Sequence, residues 1–276
     1  LSDYYVGRKI GEIWGYETDG YYTINDFNAD DAKHKTWTLK EGVVKINGYN
    51  PQPGDVKFKD LRPDGVINAG DNTVDNPGDR KIIGNDAARY QFGISLGASY
   101  KGWSLEVLLQ GVGKRDYWLG GPAMFPFGGA GAGDAVFQAL YANQTDYWRA
   151  KSYDPSSSDY MVPVNPDSKL FRIYDQGNNV GSNTRVSDKY LQNAAYMRIK
   201  NITLAYTLPK EWVKRAFIQD TKFYLSIENL ATFSSLPKGY DPEGTAPSST
   251  ANALSNGISW GYPYYRTISL GASITF

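Results

Sequence analysis

Hydrophobic and polar residues alternate with a period of two along several stretches of the chain. In residues 267–276, every second residue from Ile268 to Phe276 is apolar, and the residues between them are Gly, Ser or Thr. Residues 92–100, 103–110 and 223–228 alternate in the same way. Because successive side chains of a β-strand point to opposite faces, each stretch predicts a strand with one apolar and one polar face.

The connections between these strands differ in length. Lys101-Gly102 separates two alternating stretches and predicts a tight hairpin turn. Residues 196–207 form a further alternating stretch whose phase slips near Lys200-Asn201, which predicts a β-bulge. In contrast, residues 111–195 and 231–263 form long connections rich in Gly, Pro, Ser, Asn and aromatic residues. Loops of this length are uncommon in compact soluble domains.

Two all-β architectures produce such alternation. In a soluble sandwich the apolar face is core, and the other face usually carries many Lys and Glu residues. In a transmembrane barrel the apolar face meets lipid, and strands run about 9–11 residues with short turns at one end and long loops at the other. The Gly, Ser and Thr content of the polar face and the unequal connections favour the barrel. The sandwich remains the alternative.

Composition excludes several classes of function. The 29 Lys and Arg residues balance 29 Asp and Glu residues, so no basic surface for nucleic acid is indicated. The chain has no cysteine for a thiolate site, and His34 is its one histidine. No apolar run approaches the roughly 18 residues of a membrane-spanning helix, and the first residues lack a secretory signal. A glycosidase, which requires only two carboxylates, is not excluded.

Ordered blocks along nearly the whole chain resemble the SusC/RagA family of TonB-linked outer-membrane proteins. The blocks are YYVGRKIGEIWGY at 4–16, PGDVKFKDL at 53–61, DGVI at 64–67, DRKIIGN at 79–85, YKGW at 100–103, NAAYMRIKNITLAYTLP at 193–209, ENL at 228–230, GYDPE at 239–243 and ITF at 274–276.

The resemblance implies a plugged barrel of about 22 antiparallel strands with long extracellular loops. Such proteins lie in the cell outer membrane, import oligosaccharides or peptides with energy from TonB, and work with a surface lipoprotein of the SusD type, here called the cap. The family's plug and TonB box are not recognisable in residues 1–276, so we expect this chain to be the C-terminal part of the barrel, with the remainder supplied elsewhere. A soluble carbohydrate-binding β-protein is the alternative, followed by a secreted glycosidase.

Aromatic residues in the longest connection are the candidate contacts for a substrate or for the cap. Flat rings stack on sugar rings or on apolar side chains, and neighbouring polar groups supply hydrogen bonds. The alternative is that the rings hold the connection together. The candidates are Trp118, Phe125, Phe127, Trp148, Arg149 and Arg172.

Residues 60–71 resemble a calcium-binding loop of the EF-hand type. Asp60, Asp64 and Asp71 are at ligand positions one, five and twelve, and Gly65 is at the turn position. Arg62 departs from the pattern because a cation replaces the third ligand. Calcium at this loop is the one cofactor that the sequence suggests, and an ordinary Asp/Gly turn is the alternative. Finally, Phe276 resembles the terminal aromatic residue that serves outer-membrane barrels as an assembly signal.

Overall fold

Strands make up most of the regular secondary structure. A computed structural model of the chain describes residues 1, 5–28, 37–120, 124–125, 140, 142–173, 180–214, 217–238, 240–243 and 264–276. In chain order the strands are β1 (Glu12–Tyr16), β2 (Thr18–Tyr21), β3 (Val56–Phe58), β4 (Arg80–Asn85), β5 (Arg89–Tyr100), β6 (Trp103–Lys114), β7 (Asp116–Trp118), β8 (Leu191–Asn193), β9 (Tyr196–Thr207), β10 (Asp220–Ser234) and β11 (Thr267–Thr275).

Helical segments are short. They are α1 (Val180–Asn183), α2 (Lys210–Val213) and the 3₁₀ turns Ile24–Asp26, Ala142–Gln144 and Asp188–Tyr190. No helix within the described part of the chain is long and apolar enough to cross a membrane.

The described residues fall into two compact units. The sheet unit comprises those of Ala87–Asp116, Asn193–Ala246 and Ser259–Phe276, and the loop unit comprises those of Leu1–Asp86 and Tyr117–Gln192.

The sheet unit is built on five antiparallel strands in the order β11-β10-β9-β6-β5. All five correspond to the alternating stretches of the sequence, so the predicted all-β antiparallel fold is confirmed. The short connections, at residues 101–102 and 208–219, join strands at one end of the sheet, and the long connections join them at the other.

Alternation gives this sheet one continuous apolar face. Leu105, Leu204, Leu225 and Leu270 are directly opposite one another on β6, β9, β10 and β11. Much of this face is exposed; Leu270, for example, keeps 83% of its surface accessible. Soluble monomeric proteins rarely expose a contiguous apolar surface of this kind. Further exposed members of the face are Phe92, Ile94, Leu96, Trp103, Phe223 and Ile268.

The β5–β6 hairpin turns at the predicted position. Lys101 and Gly102 have φ values of 47° and 85°, as the two central residues of a type I′ turn require. A side chain at Gly102 would place its Cβ 2.7 Å from the backbone oxygen of Thr207, so glycine is required there for space as well as for conformation.

The predicted bulge is confirmed. Leu108 is opposite Asn201 and Leu109 is opposite Ile199, which leaves Lys200 as the extra residue of β9.

The sequence places the end of β10 too early. The predicted strand stops at residue 228 and the long connection begins at residue 231, whereas β10 continues to Ser234. Its register with β9 shifts between Glu228 and Ala231, and Asn229 adopts a positive φ of 51°. Asn229 and Leu230 are out of phase with the alternating residues on either side, so the sequence pattern ends before the strand does.

The loop unit has an aromatic core. Its short sheets pair β1 with β4 and β2 with β3, and β7 pairs with β8. Phe125 lies edge-on to Tyr190, with ring centroids 4.7 Å apart, and is 6.0 Å from Trp118. The indole of Trp148 lies over Gly54, where a Cβ would come within 2.6 Å of the ring. Burial of such large rings stabilises this unit.

Candidate functional site

The polar face of the five-stranded sheet carries a row of hydrogen-bonding side chains. Glu106, Thr203, Ser226 and Ser269 are directly opposite one another on four neighbouring strands. Asn201 donates to the hydroxyl of Ser226 at 3.0 Å and accepts from Thr203 at 2.9 Å. This face therefore offers donors and acceptors to whatever lies against it, whereas the opposite face is mainly apolar.

Toward the long-loop end of the same face lies a cluster of charged residues, here called the Arg198 cluster. Arg198, on β9, has only 2% of its side chain exposed. Its Nη2 donates to both carboxylate oxygens of Asp241 at 2.7 and 2.8 Å, and its Nε donates to Thr232 at 2.8 Å. Glu243 is 3.2 Å from Arg198 Nη1 and 2.9 Å from Lys200 Nζ. Two cations and two carboxylates thus neutralise one another.

Asp241 stays ionised in this cluster. Burial opposes its negative charge, but hydrogen bonds from the Glu243 N–H, the Arg198 guanidinium and the Tyr264 N–H outweigh burial and hold the pKa of Asp241 below its usual value. Charge-assisted hydrogen bonds of this kind are about twice as strong as neutral ones.

Three of the predicted contact residues lie in the interior of the loop unit. Trp118, Phe125 and Trp148 keep 5%, 1% and 1% of their surface exposed, and all three belong to its hydrophobic core. This burial favours the alternative interpretation, in which the rings hold the connection together. Their contact with a substrate or with the cap stays an untested prediction. Phe127, the fourth aromatic candidate, lies outside the described residues.

The two arginine candidates have different surroundings. Arg149 is exposed, with its guanidinium carbon 5.8 Å from the ring centroid of Tyr147. Arg172 is half-buried and donates to the side chain of Gln52 at 2.7 Å and to the backbone oxygen of Pro53 at 3.4 Å. Of the predicted contacts that the structure describes, Arg149 is therefore the one best placed to meet another molecule.

The three carboxylates of the predicted calcium loop are not brought together. Among the described residues, no three His, Cys, Asp or Glu side chains form a group that could hold a metal ion. Each carboxylate accepts a hydrogen bond within its own turn: Asp60 from the N–H of Gly65, Asp64 from the N–H of Val66, and Asp71 from the side chain of Asn76. Calcium binding at this loop stays a prediction.

A different carboxylate organises that loop. Asp79 is fully buried and accepts hydrogen bonds from the N–H groups of Leu61, Arg62 and Asn68 at 2.8 to 3.1 Å. A buried carboxylate with three backbone donors fixes the loop without a further ligand.

Phe276 follows β11 directly and has 79% of its surface exposed. Its role as an assembly signal stays a prediction.

Comparison with known proteins identifies relatives along nearly the whole chain. No family model matches. TonB-dependent receptors P3 and P39 of Formosa agariphila are each 26% identical to this chain and cover 98% of it. TonB-dependent receptor P26 of the same organism is 23% identical over 87% of the chain. The chain spans 22% to 25% of the length of these relatives.

Two solved structures share the fold of this chain. The RagAB peptide importer in its open-open state aligns with 96% of this chain and 22% of its own, at 18% identity and a TM-score of 0.53. A second RagAB peptide transporter structure aligns with 97% of the chain at 19% identity and a TM-score of 0.50. The resemblance to TonB-dependent receptors is confirmed.

For a protein related to TonB-dependent receptors, the outer-membrane location predicted from the sequence is confirmed as well. The two faces of the sheet then have different surroundings: the exposed apolar face suits lipid, and the polar face suits the interior of a barrel. The Arg198 cluster lies on the polar face.

Sequence reasoning missed the Arg198 cluster. It gave Arg198, Asp241 and Glu243 no role. One signal was present: Arg198 is a cation within an otherwise alternating strand, and a charge at such a position needs a partner.

Proposed function

We propose that this chain is part of a TonB-dependent outer-membrane importer of oligosaccharides or peptides that works with a SusD-like cap. The observation that supports the proposal is the five-stranded sheet with one exposed apolar face and one hydrogen-bonding face, in a chain similar to TonB-dependent receptors along 98% of its length. In an outer-membrane barrel, a sheet of this kind separates lipid from a polar interior. An importer requires that arrangement.

The remaining parts of the importer are proposed on the same basis. The chain spans only about a quarter or less of each relative, so the plug and the segment that contacts TonB belong to the rest of the polypeptide. In such an assembly the long connections at the β6–β9 and β10–β11 end of the sheet are extracellular and face the cap. The solved RagAB structures are those of a peptide importer, so the proposal keeps peptides beside oligosaccharides as a substrate class.

The soluble carbohydrate-binding alternative is less well supported. A soluble protein would have to cover the apolar face, since burying each leucine side chain contributes about 1.5–3 kcal/mol. Leu270 and Ile268 nevertheless remain 83% and 64% exposed. The relatives are receptors and importers rather than enzymes, so the proposal includes no catalytic role.

The test uses the full-length protein in a strain from which its gene has been deleted. Complementation should restore growth on the limiting oligosaccharide or peptide source, and growth should be lost when TonB is removed or the inner-membrane proton gradient is collapsed. The cap should be recovered with the importer in a pull-down. Uptake that persists without TonB would refute the proposal.

A further inference from the structure

Both ends of the connection between β10 and β11 meet at the Arg198 cluster. Asp241 and Glu243 lie near its beginning, and Tyr264 lies near its end. The N–H of Tyr264 donates to Oδ2 of Asp241 at 3.2 Å, while the N–H of Glu243 donates to Oδ1 of the same carboxylate at 2.9 Å. Asp241 therefore joins the two ends of the connection to each other and, through Arg198, to β9.

The ring of Tyr264 is held by the two cations of the cluster. The guanidinium carbon of Arg198 is 5.1 Å from the ring centroid, and Nζ of Lys200 is 4.6 Å from it. A cation over an aromatic face is attracted by the ring quadrupole, and the attraction increases when the cation is desolvated, as Arg198 is here. Even so, Tyr264 keeps 54% of its surface exposed. The cluster thus fixes an aromatic ring and leaves much of it accessible.

The charges around this ring are already paired. Arg198 is paired with Asp241 and Glu243, and Lys200 is paired with Glu243. A charged ligand would have to compete with these short contacts, whereas a neutral one would not. A neutral ring that presents C–H groups suits the electron-rich face of a tyrosine.

We propose that Tyr264 is a stacking contact for a pyranose ring of a neutral oligosaccharide, and that Arg198 and Asp241 are the residues that position it. The inference rests on the proposed import function and names the substrate class and the residues that would recognise it. Arg198 and Asp241 act through Tyr264 and do not themselves contact the sugar.

The experiment measures initial uptake rates in cells that express the full-length protein. The probes are labelled neutral oligosaccharides from an enzymatic digest of starch or laminarin and, separately, a labelled tryptic digest of casein. Tyr264→Ala should raise the KM for the oligosaccharides about tenfold or more, as loss of an aromatic anchor commonly does, with little change in maximal rate. Tyr264→Phe keeps the ring and should behave like the wild type.

Matched variants separate positioning from folding. Tyr265→Ala removes the neighbouring aromatic residue, which is 72% exposed, and should leave KM unchanged. Arg198→Ala should raise KM, and Arg198→Lys, which keeps the cation, should raise it less. If Tyr264→Ala does not reach the membrane, Tyr264→Leu provides a side chain of comparable bulk without an aromatic face. Surface protein is quantified for every variant.

The outcomes distinguish this inference from the proposed function. A wild type that imports oligosaccharides, with Tyr264→Ala and Tyr264→Leu within twofold of its KM, overturns the inference alone. Import of the casein peptides but not of the oligosaccharides overturns the assigned substrate class. A wild type that imports neither probe overturns the import proposal itself.

Discussion

Phe92 covers Gly111 on the apolar face of the sheet. The two residues are directly opposite each other on β5 and β6, and a Cβ at Gly111 would lie 2.5 Å from Cζ of Phe92. It would also collide with the backbone oxygen of Tyr196 on β9. An aromatic side chain thus fills the space that the missing side chain leaves, and it restores the contact area that glycine lacks.

Gly111→Ala should therefore destabilise the sheet. Because the backbone of β9 cannot move aside without loss of its pairing, we expect a cost of about 1–3 kcal/mol. The measurement is urea unfolding of the full-length protein in liposomes. Gly97→Ala is the control, since the nearest atom to its new Cβ is 4.0 Å away, and its effect should stay within about 0.5 kcal/mol. Equal effects at both glycines would contradict the steric explanation.

The facing of β11 predicts opposite tolerance at neighbouring positions. Leu270→Arg places a charge on the lipid face and should cost about 2–4 kcal/mol near the bilayer midplane, whereas Ser269→Arg on the polar face should cost much less. Both variants are made in the full-length protein and assessed by membrane assembly and unfolding. Similar losses at the two positions would refute the assignment of faces.

Labelling from the lipid phase also tests which face of the sheet meets lipid. A soluble sandwich would not give this result, because its apolar face is buried in a core. Residues 1–276 contain no cysteine, so a single cysteine introduced here is the one labelling site in this part of the protein. Leu96→Cys and Leu225→Cys should react with a membrane-phase maleimide, and Ser95→Cys and Ser226→Cys should not.

Asp241 predicts a defined dependence of stability on pH. Asp241→Asn leaves the buried Arg198 without its strongest partner and should cost about 3–5 kcal/mol at neutral pH. A carboxyl whose folded pKa is lowered contributes stability above its ordinary pKa of 3.8, and that contribution is lost as the pH falls through the lowered value. The difference between wild type and variant should thus be constant between about pH 5 and 8 and shrink in stronger acid. A difference that varies between pH 6 and 8 would show that another group titrates.

Trp148 and Arg149 are adjacent but should respond differently to substitution. Trp148→Ala empties a buried site against Gly54 and should cost about 3–5 kcal/mol, with lower protein levels in the membrane. Arg149→Ala removes an exposed side chain and should change stability by less than about 0.5 kcal/mol. Pull-down of the cap and substrate uptake, measured at equal protein levels, then test the predicted contact of Arg149. Reduced cap binding or uptake in Arg149→Ala supports the contact, and wild-type values of both contradict it.

Calcium at residues 60–71 is tested by calorimetric titration of the full-length protein. If the loop binds calcium, the wild type should show saturable heat that Asp64→Asn abolishes, and chelation should lower the unfolding temperature. Asp79→Asn should destabilise the loop with or without calcium, because its carboxylate accepts three backbone hydrogen bonds. Absence of heat in both the wild type and Asp64→Asn would exclude the calcium site.

The sequence predicts the sheet well because the relevant information is local. Alternation at residues 92–100 and 103–110, with Lys101-Gly102 between them, defines two strands, their turn and both faces. The alternation fails at the end of β10, where Asn229 and Leu230 are out of phase with the residues on either side although the strand continues.

The candidate site is less predictable because it depends on contacts between distant positions. Arg198 and Asp241 are 43 residues apart, and no periodic pattern links them. The core of the loop unit is similar: Trp118, Phe125 and Tyr190 come together from separate short segments, so their burial could not be distinguished from exposure by sequence alone. An aromatic residue in a long connection looks the same in the sequence whether it binds a ligand or packs in a core.

The contrast between the hairpin at Lys101-Gly102 and the long β6–β9 connection bears on the order in which the strands come together. Tyr100 pairs with Trp103, which is three positions away in the sequence. Val112 pairs with Tyr196, and more than eighty residues separate the two. The entropic cost of loop closure is small for the first pairing and larger for the second. We therefore expect β5 and β6 to pair before β9 adds to the sheet. Until β9 pairs, β6 has an unpaired backbone edge. During that interval the sheet is most prone to mispairing and aggregation.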